Sequence, residues 1–318
     1  MNYRITYQCI SKFILFVVLF FSFNLNIFAS SIKIPFKYIQ SFIILDIKLE
    51  NIIPLKLIFD TGAEYNLLFN RAYTDLIKDA YLREVKIMGS DLSVEIPALL
   101  TQSLSSLVHE KLNLNLQYLV LINPSESINE VIGEKIDGIL SAEIFANYIF
   151  EINYQKKYIL LSDRLPSKKR LVNYSACDIT LYKTKPFINS NLLINPSSNA
   201  YPMNLLLDTG AGLTLLIYKK SQDILSVPQQ IIPGVLGSGI GGLLNGFKAK
   251  SSKLEFCAFG FNNLLTNYLE VDNNYVQKEA QFKQGLIGNQ ILDRFSVIFD
   301  YRNSKVYFKL FNEDPSFS

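Results

Sequence analysis

Residues 57–63 read Leu-Ile-Phe-Asp-Thr-Gly-Ala, and residues 205–211 read Leu-Leu-Leu-Asp-Thr-Gly-Ala. The two aspartates, Asp60 and Asp208, are 148 positions apart (208 − 60 = 148). An apolar run of this kind predicts a buried strand, and the glycine after each aspartate predicts a tight turn. We therefore expect two rigid strands that each deliver a carboxylate to a turn.

A second pair of stretches recurs at nearly the same spacing. Residues 137–145 read Asp-Gly-Ile-Leu-Ser-Ala-Glu-Ile-Phe, and residues 284–292 read Gln-Gly-Leu-Ile-Gly-Asn-Gln-Ile-Leu, 147 positions later (284 − 137 = 147). Residues 152–157 and 299–304 match at the same spacing. Self-similarity at a fixed spacing is typical of repeated units. We predict a tandem duplication of a unit of about 140 residues, a normal size for one domain.

Each unit is predicted to be mostly β, because β-branched and aromatic residues alternate in part with polar ones. The predicted strands of the first unit include 32–36, 42–49 and 55–59. Two glycine-containing stretches, 89–91 and 237–242, predict hairpin tips. Each unit should end with a short helix and a final hairpin. These helices are predicted at 142–147 and 289–295, and the hairpins at 149–161 and 297–310.

The first 29 residues have the features of a signal peptide. Arg4 and Lys12 give a positive start, residues 13–23 are apolar apart from Ser22, and residues 27–29, Ile-Phe-Ala, are typical of a cleavage site. The alternative is a retained membrane anchor, although the run is shorter than the about 20 residues that span a bilayer. An exported chain would be periplasmic, held in the cell envelope, or secreted. We predict a signal peptide at 1–29, a first lobe at 30–165 and a second lobe at 166–318.

The composition argues against several classes of function. The 318 residues carry 31 Lys and Arg against 28 Asp and Glu, and the net charge of +3 falls to +1 without Arg4 and Lys12 (31 − 2 − 28 = +1). No basic stripe interleaves with aromatics, so we predict no nucleic-acid partner. His109 is the only histidine, which is too few for a usual zinc site, so we expect no metal and no cofactor. Cys177 and Cys257 form a disulfide or remain buried thiols, and both alternatives stay open.

Two aspartates suffice for one known kind of peptide hydrolysis. Carboxyls about 3 Å apart share a single proton, because two like charges that close cannot both ionise. The ionised carboxyl takes a proton from the attacking water, and the protonated one polarises the scissile carbonyl. Asp60 and Asp208 are the candidates for this pair. Their neighbours have supporting roles: Gly62 and Gly210 permit a close approach, and Thr61 and Thr209 can place hydroxyls on the backbone of the opposite unit.

These motifs resemble those of the retropepsin-like and pepsin-like aspartic peptidases, in particular exported bacterial proteins with two fused lobes. That family pairs an apolar-Asp-Thr-Gly-Ala motif with a later apolar-apolar-Gly motif in each lobe. The later motif is Leu-Ile-Gly at 286–288 in the second lobe and Ile-Leu-Ser at 139–141 in the first, with Ser141 where glycine is usual. The resemblance covers residues 32–311 and implies a mostly β, bilobal acid protease fold with the active site between two duplicated lobes.

The resemblance also implies catalytic roles for Asp60 and Asp208. Beyond the first motif, many retropepsin-like members carry Ser or Thr, which Thr214 supplies in the second lobe while Asn66 stands in that place in the first. Asparagine can hydrogen-bond the loop as well. We predict a substrate-binding flap at the glycine-rich tip of the second lobe, because glycines leave the backbone free to move. Its residues are Gly237, Ser238, Gly239 and Gly241.

Two functions of different classes follow from these observations. The first is an aspartic endopeptidase that acts on peptide or protein substrates as a monomer, associated with a membrane only if the signal segment is retained. The second is a catalytically silent relative that binds peptides in the same cleft. Both aspartates favour the enzyme, and Ser141 keeps the second interpretation open.

Overall fold

A computed structural model of the chain describes residues 31–90, 92, 94–123, 127–220, 228, 230–271 and 284–311. The chain divides into a short first segment, Met1–Ser31, and one compact body, Ile32–Ser318. The predicted signal peptide lies outside the described residues. Within the described part, no helix is both long and apolar enough to cross a membrane. Everything that follows concerns the compact body.

The compact body is built mainly of β-strands. In the first lobe they are β1 (Ile32–Pro35), β2 (Lys37–Ile39), β3 (Phe42–Leu49), β4 (Ile53–Asp60), β5 (Asn66–Leu68), β6 (Tyr81–Met88), β7 (Glu95–Thr101), β8 (Leu104–His109), β9 (Leu112–Leu116), β10 (Tyr118–Leu121), β11 (Gly138–Ser141), β12 (Ile149–Asn153) and β13 (Tyr158–Ser162). In the second lobe they are β14 (Ser175–Tyr182), β15 (Lys185–Leu193), β16 (Tyr201–Leu207), β17 (Leu215–Lys220), β18 (Ile232–Gly239), β19 (Gly242–Phe256), β20 (Phe259–Val271), β21 (Gly285–Ile287), β22 (Phe295–Asp300) and β23 (Lys305–Leu310). Short helices lie at Arg71–Tyr73, Ser127–Ile132, Ala142–Phe145, Lys168–Leu171 and Asn289–Leu292.

The predicted mostly β fold is confirmed, and β3 has the predicted bounds 42–49. The two predicted helices at 142–147 and 289–295 are shorter than expected. In the second lobe, the helix stops because Phe295 begins β22, where it pairs with Leu310 and is fully buried. Burial of this aromatic ring on a strand outweighs one more helical turn.

Strands β12 and β22 join the two lobes in one sheet. They pair antiparallel, with Glu151 opposite Ile298 and Phe150 opposite Phe299. Glu151 and Ile298 are themselves 147 positions apart, so the register is symmetric about this pair. The Phe150 and Phe299 rings stack with their centroids 4.9 Å apart. The sheet continues on one side through β13 to β1 and on the other through β23 to β14.

The stretch between the lobes is fixed to this shared sheet. The helix Lys168–Leu171 places the Arg170 guanidinium in an ion pair with the buried carboxylate of Glu151. The hydroxyls of Tyr174 and Ser296 also donate to Oε1 of Glu151, at 3.2 and 2.8 Å. A buried carboxylate with several hydrogen bonds is tolerated, whereas an isolated one would be costly.

The strands that precede the aspartates lie inside their sheets. β4 runs between β3 and β11, and β16 runs between β15 and β21. Parallel pairing of β11 with β4 sets Ser141 beside Asp60. Parallel pairing of β21 with β16 sets Ile287 beside Leu207, the residue before the second aspartate. Both strand ends are therefore held on two sides.

Candidate active site

The structure brings the carboxyls of Asp60 and Asp208 into direct contact. Both residues are 9% exposed, and their carboxyl groups are hydrogen-bonded to each other. A Cβ added at Gly62 would lie 2.6 Å from Cγ of Asp208, and one at Gly210 would overlap the Asp60 carboxyl. Only glycine at these two positions leaves room for the pair.

Backbone N–H groups orient each carboxylate. Oδ1 of Asp60 accepts from the N–H of Gly62 at 2.6 Å and of Ala63 at 3.0 Å. Oδ1 of Asp208 accepts from the N–H of Gly210 at 2.9 Å. In both lobes the loop thus folds back on its own aspartate and fixes its rotamer.

Two threonines bind the loops to each other across the lobe interface. Oγ1 of Thr61 donates to the carbonyl of Leu207 at 2.6 Å and accepts from the N–H of Thr209 at 3.0 Å. Oγ1 of Thr209 donates to the carbonyl of Phe59 at 2.9 Å and accepts from the N–H of Thr61 at 3.0 Å. Both side chains are buried, so these four reciprocal bonds are shielded from competing water.

The environment of the pair favours a shared proton. Burial, followed by the negative charge of Asp208, raises the pKa of the Asp60 carboxyl well above its usual range. The hydrogen bond between the carboxyls raises this pKa further, while the N–H groups of Gly62 and Ala63 lower it. The three raising effects dominate, and the pair retains one proton at a pH where a solvated aspartic acid has lost it.

Ser141 fits beside the first aspartate loop without disturbing it. Its hydroxyl donates to the carbonyl of Ala63 at 2.8 Å, and its N–H donates to Oδ1 of Asn66 at 3.0 Å. The corresponding Gly288 has no such space, because a Cβ there would lie 2.7 Å from the carbonyl oxygen of Ala211. Its N–H donates instead to the backbone carbonyl of Thr214 at 2.9 Å.

Asn66 and Thr214 each donate a side-chain hydrogen bond to a backbone carbonyl of a neighbouring segment. The Asn66 amide donates to the carbonyl of Gln117 at 3.1 Å, and the Thr214 hydroxyl donates to the carbonyl of Leu265. Each acceptor comes directly before a residue of a parallel strand pair: Gln117 before Tyr118, which pairs with Asn66, and Leu265 before Thr266, which pairs with Leu215. Asparagine therefore replaces threonine here without loss of the hydrogen bond.

Different side chains cover the outer edges of the two aspartate loops. In the first lobe, Glu64 forms ion pairs with Lys183 at 3.0 Å and with Lys185 at 3.9 Å, both from the second lobe. In the second lobe, Gly212 lies under the ring of Phe42, so close that an added Cβ would be 2.8 Å from Cε2. One contact is electrostatic and the other is apolar packing.

The predicted flap has a partner that sequence reasoning missed. Gly237, Ser238 and Gly239 lie in β18, and Gly241 lies in the turn before β19. Across the turn, the N–H of Ser90 donates to the carbonyl of Ile240 at 2.7 Å, and the N–H of Ile240 donates to Oγ of Ser90 at 3.0 Å. The tip of the β6–β7 hairpin thus meets the tip of the β18–β19 hairpin.

Each hairpin tip also packs into the apolar cluster of the opposite lobe. Ile240 packs with the first-lobe cluster that includes Ala63 of the aspartate loop. Leu92 packs with the second-lobe cluster that includes Ala211. The Gly89-Ser90-Asp91 stretch was recognisable as a hairpin, but its contact with a segment about 150 positions away was not.

A buried asparagine supports the second aspartate loop from behind. Asn289 is fully buried, and its amide donates to the carbonyls of Thr209 at 2.6 Å and Ser41 at 2.8 Å. It accepts from the hydroxyl of Tyr154 at 2.7 Å. Apart from the position of Asn289 directly after the Leu-Ile-Gly motif, no sequence signal indicates this role.

The remaining predicted residues lie away from the aspartates. Cys177 and Cys257 form a disulfide with a Cα–Cα distance of 5.8 Å, which decides between the two open alternatives. His109 lies in β8, where its Nδ1 accepts from the N–H of Lys111 at 3.2 Å. No group of three or more His, Cys, Asp or Glu in the described ranges could hold a metal ion.

Solved structures with the same fold include a fungal proteinase and a plant globulin. The aspartic proteinase from Irpex lacteus aligns with a TM-score of 0.52 and 11% identity, over 88% of this chain and 97% of its own. Basic 7S globulin from soybean aligns with a TM-score of 0.51 and 9% identity, over 88% of this chain and 95% of its own. No family model and no curated protein matches the sequence. The likeness shows a pepsin-like aspartic proteinase fold, and at this identity it shows the fold alone.

Proposed function

We propose that the protein is an aspartic endopeptidase in which Asp60 and Asp208 together activate a water molecule. The observation that carries the proposal is the position of the two buried carboxyls, each of which lies against the turn glycine of the opposite lobe. Mutual contact of two carboxyls has no structural benefit, because their charges repel and their burial is costly. A pair held in this way by N–H donors and interlocked threonines is arranged for chemistry.

The geometry supports general acid–base catalysis. The ionised carboxyl takes a proton from water, whose oxygen attacks the peptide carbonyl carbon. The protonated carboxyl donates to the carbonyl oxygen as negative charge develops there. Collapse of the tetrahedral intermediate breaks the C–N bond. The leaving amine takes the proton that the first carboxyl removed from water, and a hydroxyl of the intermediate returns a proton to the second carboxyl. Because the four threonine bonds fix both loops, little reorganisation is needed during the reaction.

A substrate must pass the two joined hairpin tips. The contact between Ser90 and Ile240 consists of two hydrogen bonds, a number that opening can break and closing can restore. An extended peptide binds by pairing with strand edges and filling alternate pockets. We propose that the substrates are peptides or unfolded protein segments, since a folded protein would not fit beneath the hairpins.

We further propose that the chain is exported and acts as a monomer, in the periplasm, the cell envelope or the medium. The signal-like first 29 residues support export. The disulfide between Cys177 and Cys257 supports an oxidising compartment. Both catalytic carboxyls come from one chain, which supports a monomeric enzyme.

The test is a peptidase assay on residues 30–318 with a denatured protein as substrate, from pH 3 to pH 7. Cleavage that disappears in Asp208→Asn is the expected result. The matched control is Asp178→Asn, because Asp178 is an exposed aspartate that pairs with Lys305 far from the site. A folded wild-type chain that cleaves nothing, but binds the same substrate, would favour the silent peptide-binding protein instead.

A further inference from the structure

The hydroxyl of Tyr301 is buried and has no hydrogen-bond partner among the described residues. Tyr301 lies in the turn after β22, and its ring packs edge-on against Phe150 at 5.4 Å and Phe299 at 5.9 Å. Burial of an unpaired hydroxyl costs stability, and phenylalanine would fill the same space without that cost. A tyrosine here therefore calls for a partner that the protein itself does not supply.

The other lobe shows what such a partner does. Tyr154, 147 positions before Tyr301, donates to Oδ1 of Asn289, whose amide donates to the carbonyl of Thr209. The chain of bonds runs from a tyrosine of one lobe to the aspartate loop of the other. The residue 147 positions before Asn289 is Ala142, which is buried and carries only a methyl group. The equivalent hydrogen-bond network from Tyr301 to the first aspartate loop therefore lacks a residue that corresponds to Asn289.

Tyr301 lies on the side of the first aspartate. Burial raises the pKa of the Tyr301 hydroxyl far above its usual range, and the negative charge of Asp60 raises it further. The hydroxyl thus stays protonated at any pH at which the protein is folded, and it remains a donor. Tyr301 also occupies the position in the second lobe that Tyr154 occupies in the first, 147 residues earlier.

We propose that Tyr301 is a positioning residue for Asp60, which holds one buried water molecule between its hydroxyl and the carbonyl of Thr61. Replacement of an asparagine amide by a methyl group frees roughly 30 Å³, about the share of one water in the liquid. Thr61 is the counterpart of Thr209, so its carbonyl faces the place of the missing amide. The second aspartate loop is then held by a protein side chain and the first by a water molecule.

The proposal has a structural test that needs no activity. A high-resolution crystal structure of residues 30–318 should show one ordered water within hydrogen-bond distance of both the Tyr301 hydroxyl and the Thr61 carbonyl. A protein atom on the hydroxyl, or a dry space beside it, would overturn the proposal.

A functional test uses Tyr301→Phe, and it rests on the proposed peptidase activity. The variant should lower kcat about three- to tenfold with KM unchanged, because the Asp60 loop loses a support used in the transition state. Adding Ala142→Asn should restore kcat, since an amide at this position reaches the Thr61 carbonyl without the tyrosine. Unchanged kcat in Tyr301→Phe, or no rescue by Ala142→Asn, would mean that the hydroxyl has no positioning role.

The matched control is Tyr118→Phe. Tyr118 is also fully buried, but its hydroxyl bonds Ser106 within the first lobe. Loss of that bond should lower the unfolding temperature and leave kcat unchanged. Tyr301→Phe should differ by lowering kcat, with an unfolding temperature lowered no more than that of Tyr118→Phe.

Failure of the proposal is distinguishable from failure of the peptidase function. If the wild-type chain is inactive, the shared proton of Asp60 and Asp208 is still visible in the pH dependence of unfolding. Tyr301→Phe should shift the midpoint of that pH dependence to higher pH by roughly half a unit. Without the hydroxyl and its water the carboxyls lie in a drier environment, which disfavours the ionised form of the pair. The pH dependence of unfolding is also measured for Asp60→Asn and subtracted. This removes the contribution of other titratable groups around the loop, such as Glu64, Glu143, Lys183 and Lys185.

Discussion

In the second lobe a bare glycine, Gly288, lies against the aspartate loop, whereas in the first lobe Ser141 occupies the corresponding place. The hydroxyl of Ser141 bonds the carbonyl of Ala63, and Asn66 accepts from its N–H. In the second lobe, backbone groups alone make the equivalent contacts. The difference shows that the fold requires the polar groups behind each aspartate loop to be hydrogen-bonded. Either side chains or backbone groups can provide these hydrogen bonds.

The comparison predicts equal importance of the two aspartates despite their different surroundings. Asp60→Asn and Asp208→Asn should each lower kcat by about 10³-fold or more, and the double variant should be little worse, because the two carboxyls act as a unit. Initial rates on a denatured substrate measure this effect. Residual activity in only one of the two variants would show that the lobes are not equivalent.

Exchange of serine and glycine should have unequal consequences for stability. Gly288→Ser places a Cβ against the carbonyl of Ala211 and should cost about 3 kcal/mol or prevent folding. Ser141→Gly loses one buried hydrogen bond and should cost about 1 kcal/mol. Urea unfolding of both variants gives the two values. Similar values for the two would contradict the steric difference between the lobes.

The shared proton should make stability fall as the pH rises. The folded-state pKa of Asp60 is raised, so the folded chain binds more protons than the unfolded one above the unfolded pKa of about 3.9. Stability is greatest below that pH and is lost as the pH rises through the folded-state pKa. Asp60→Asn should therefore unfold at a temperature a few degrees higher than the wild type at pH 7.

At pH 3 the same two proteins should unfold at similar temperatures, because the Asp60 carboxyl is then protonated in both the folded and the unfolded state. Calorimetry at the two pH values measures the difference. A wild-type chain that becomes more stable relative to Asp60→Asn at neutral pH would exclude a raised pKa.

The smallest expected effect concerns the contact between the hairpin tips. Ser90→Ala removes the bond from the N–H of Ile240 to Oγ and leaves the backbone bond between the same residues intact. KM should change by roughly two- to threefold, the effect of one partly buried hydrogen bond, while kcat changes less. A large fall in kcat would assign Ser90 a role in the chemical step.

Local sequence signals account for much of the fold and of the site. The buried strands before Asp60 and Asp208 and the turn glycines after them are encoded within a few residues. The contact of the aspartates could be expected because a duplicated unit places equivalent loops face to face. The bounds of β3 followed from a long alternating run.

Other features depend on contacts between distant segments and left no local trace. Asn289 and Tyr154 meet across 135 positions, and no pattern in either neighbourhood predicts the other. The choice between a disulfide and two thiols depended on a Cα–Cα distance that only the packed strands define. The contact of Ser90 with Ile240 likewise depends on how the lobes meet.

Glu151 shows what a single fused chain can do that a pair of identical half-length chains cannot. In an isologous dimer, the residue at the symmetry axis of the shared sheet faces its own copy. A glutamate there would face a glutamate, and two buried carboxylates would oppose each other. In the single chain, Glu151 faces Ile298 and takes its counter-charge from Arg170 in the connection between the lobes. Fusion thus frees each half to diverge, and the connecting segment that fusion introduces supplies the counter-charge of a buried glutamate.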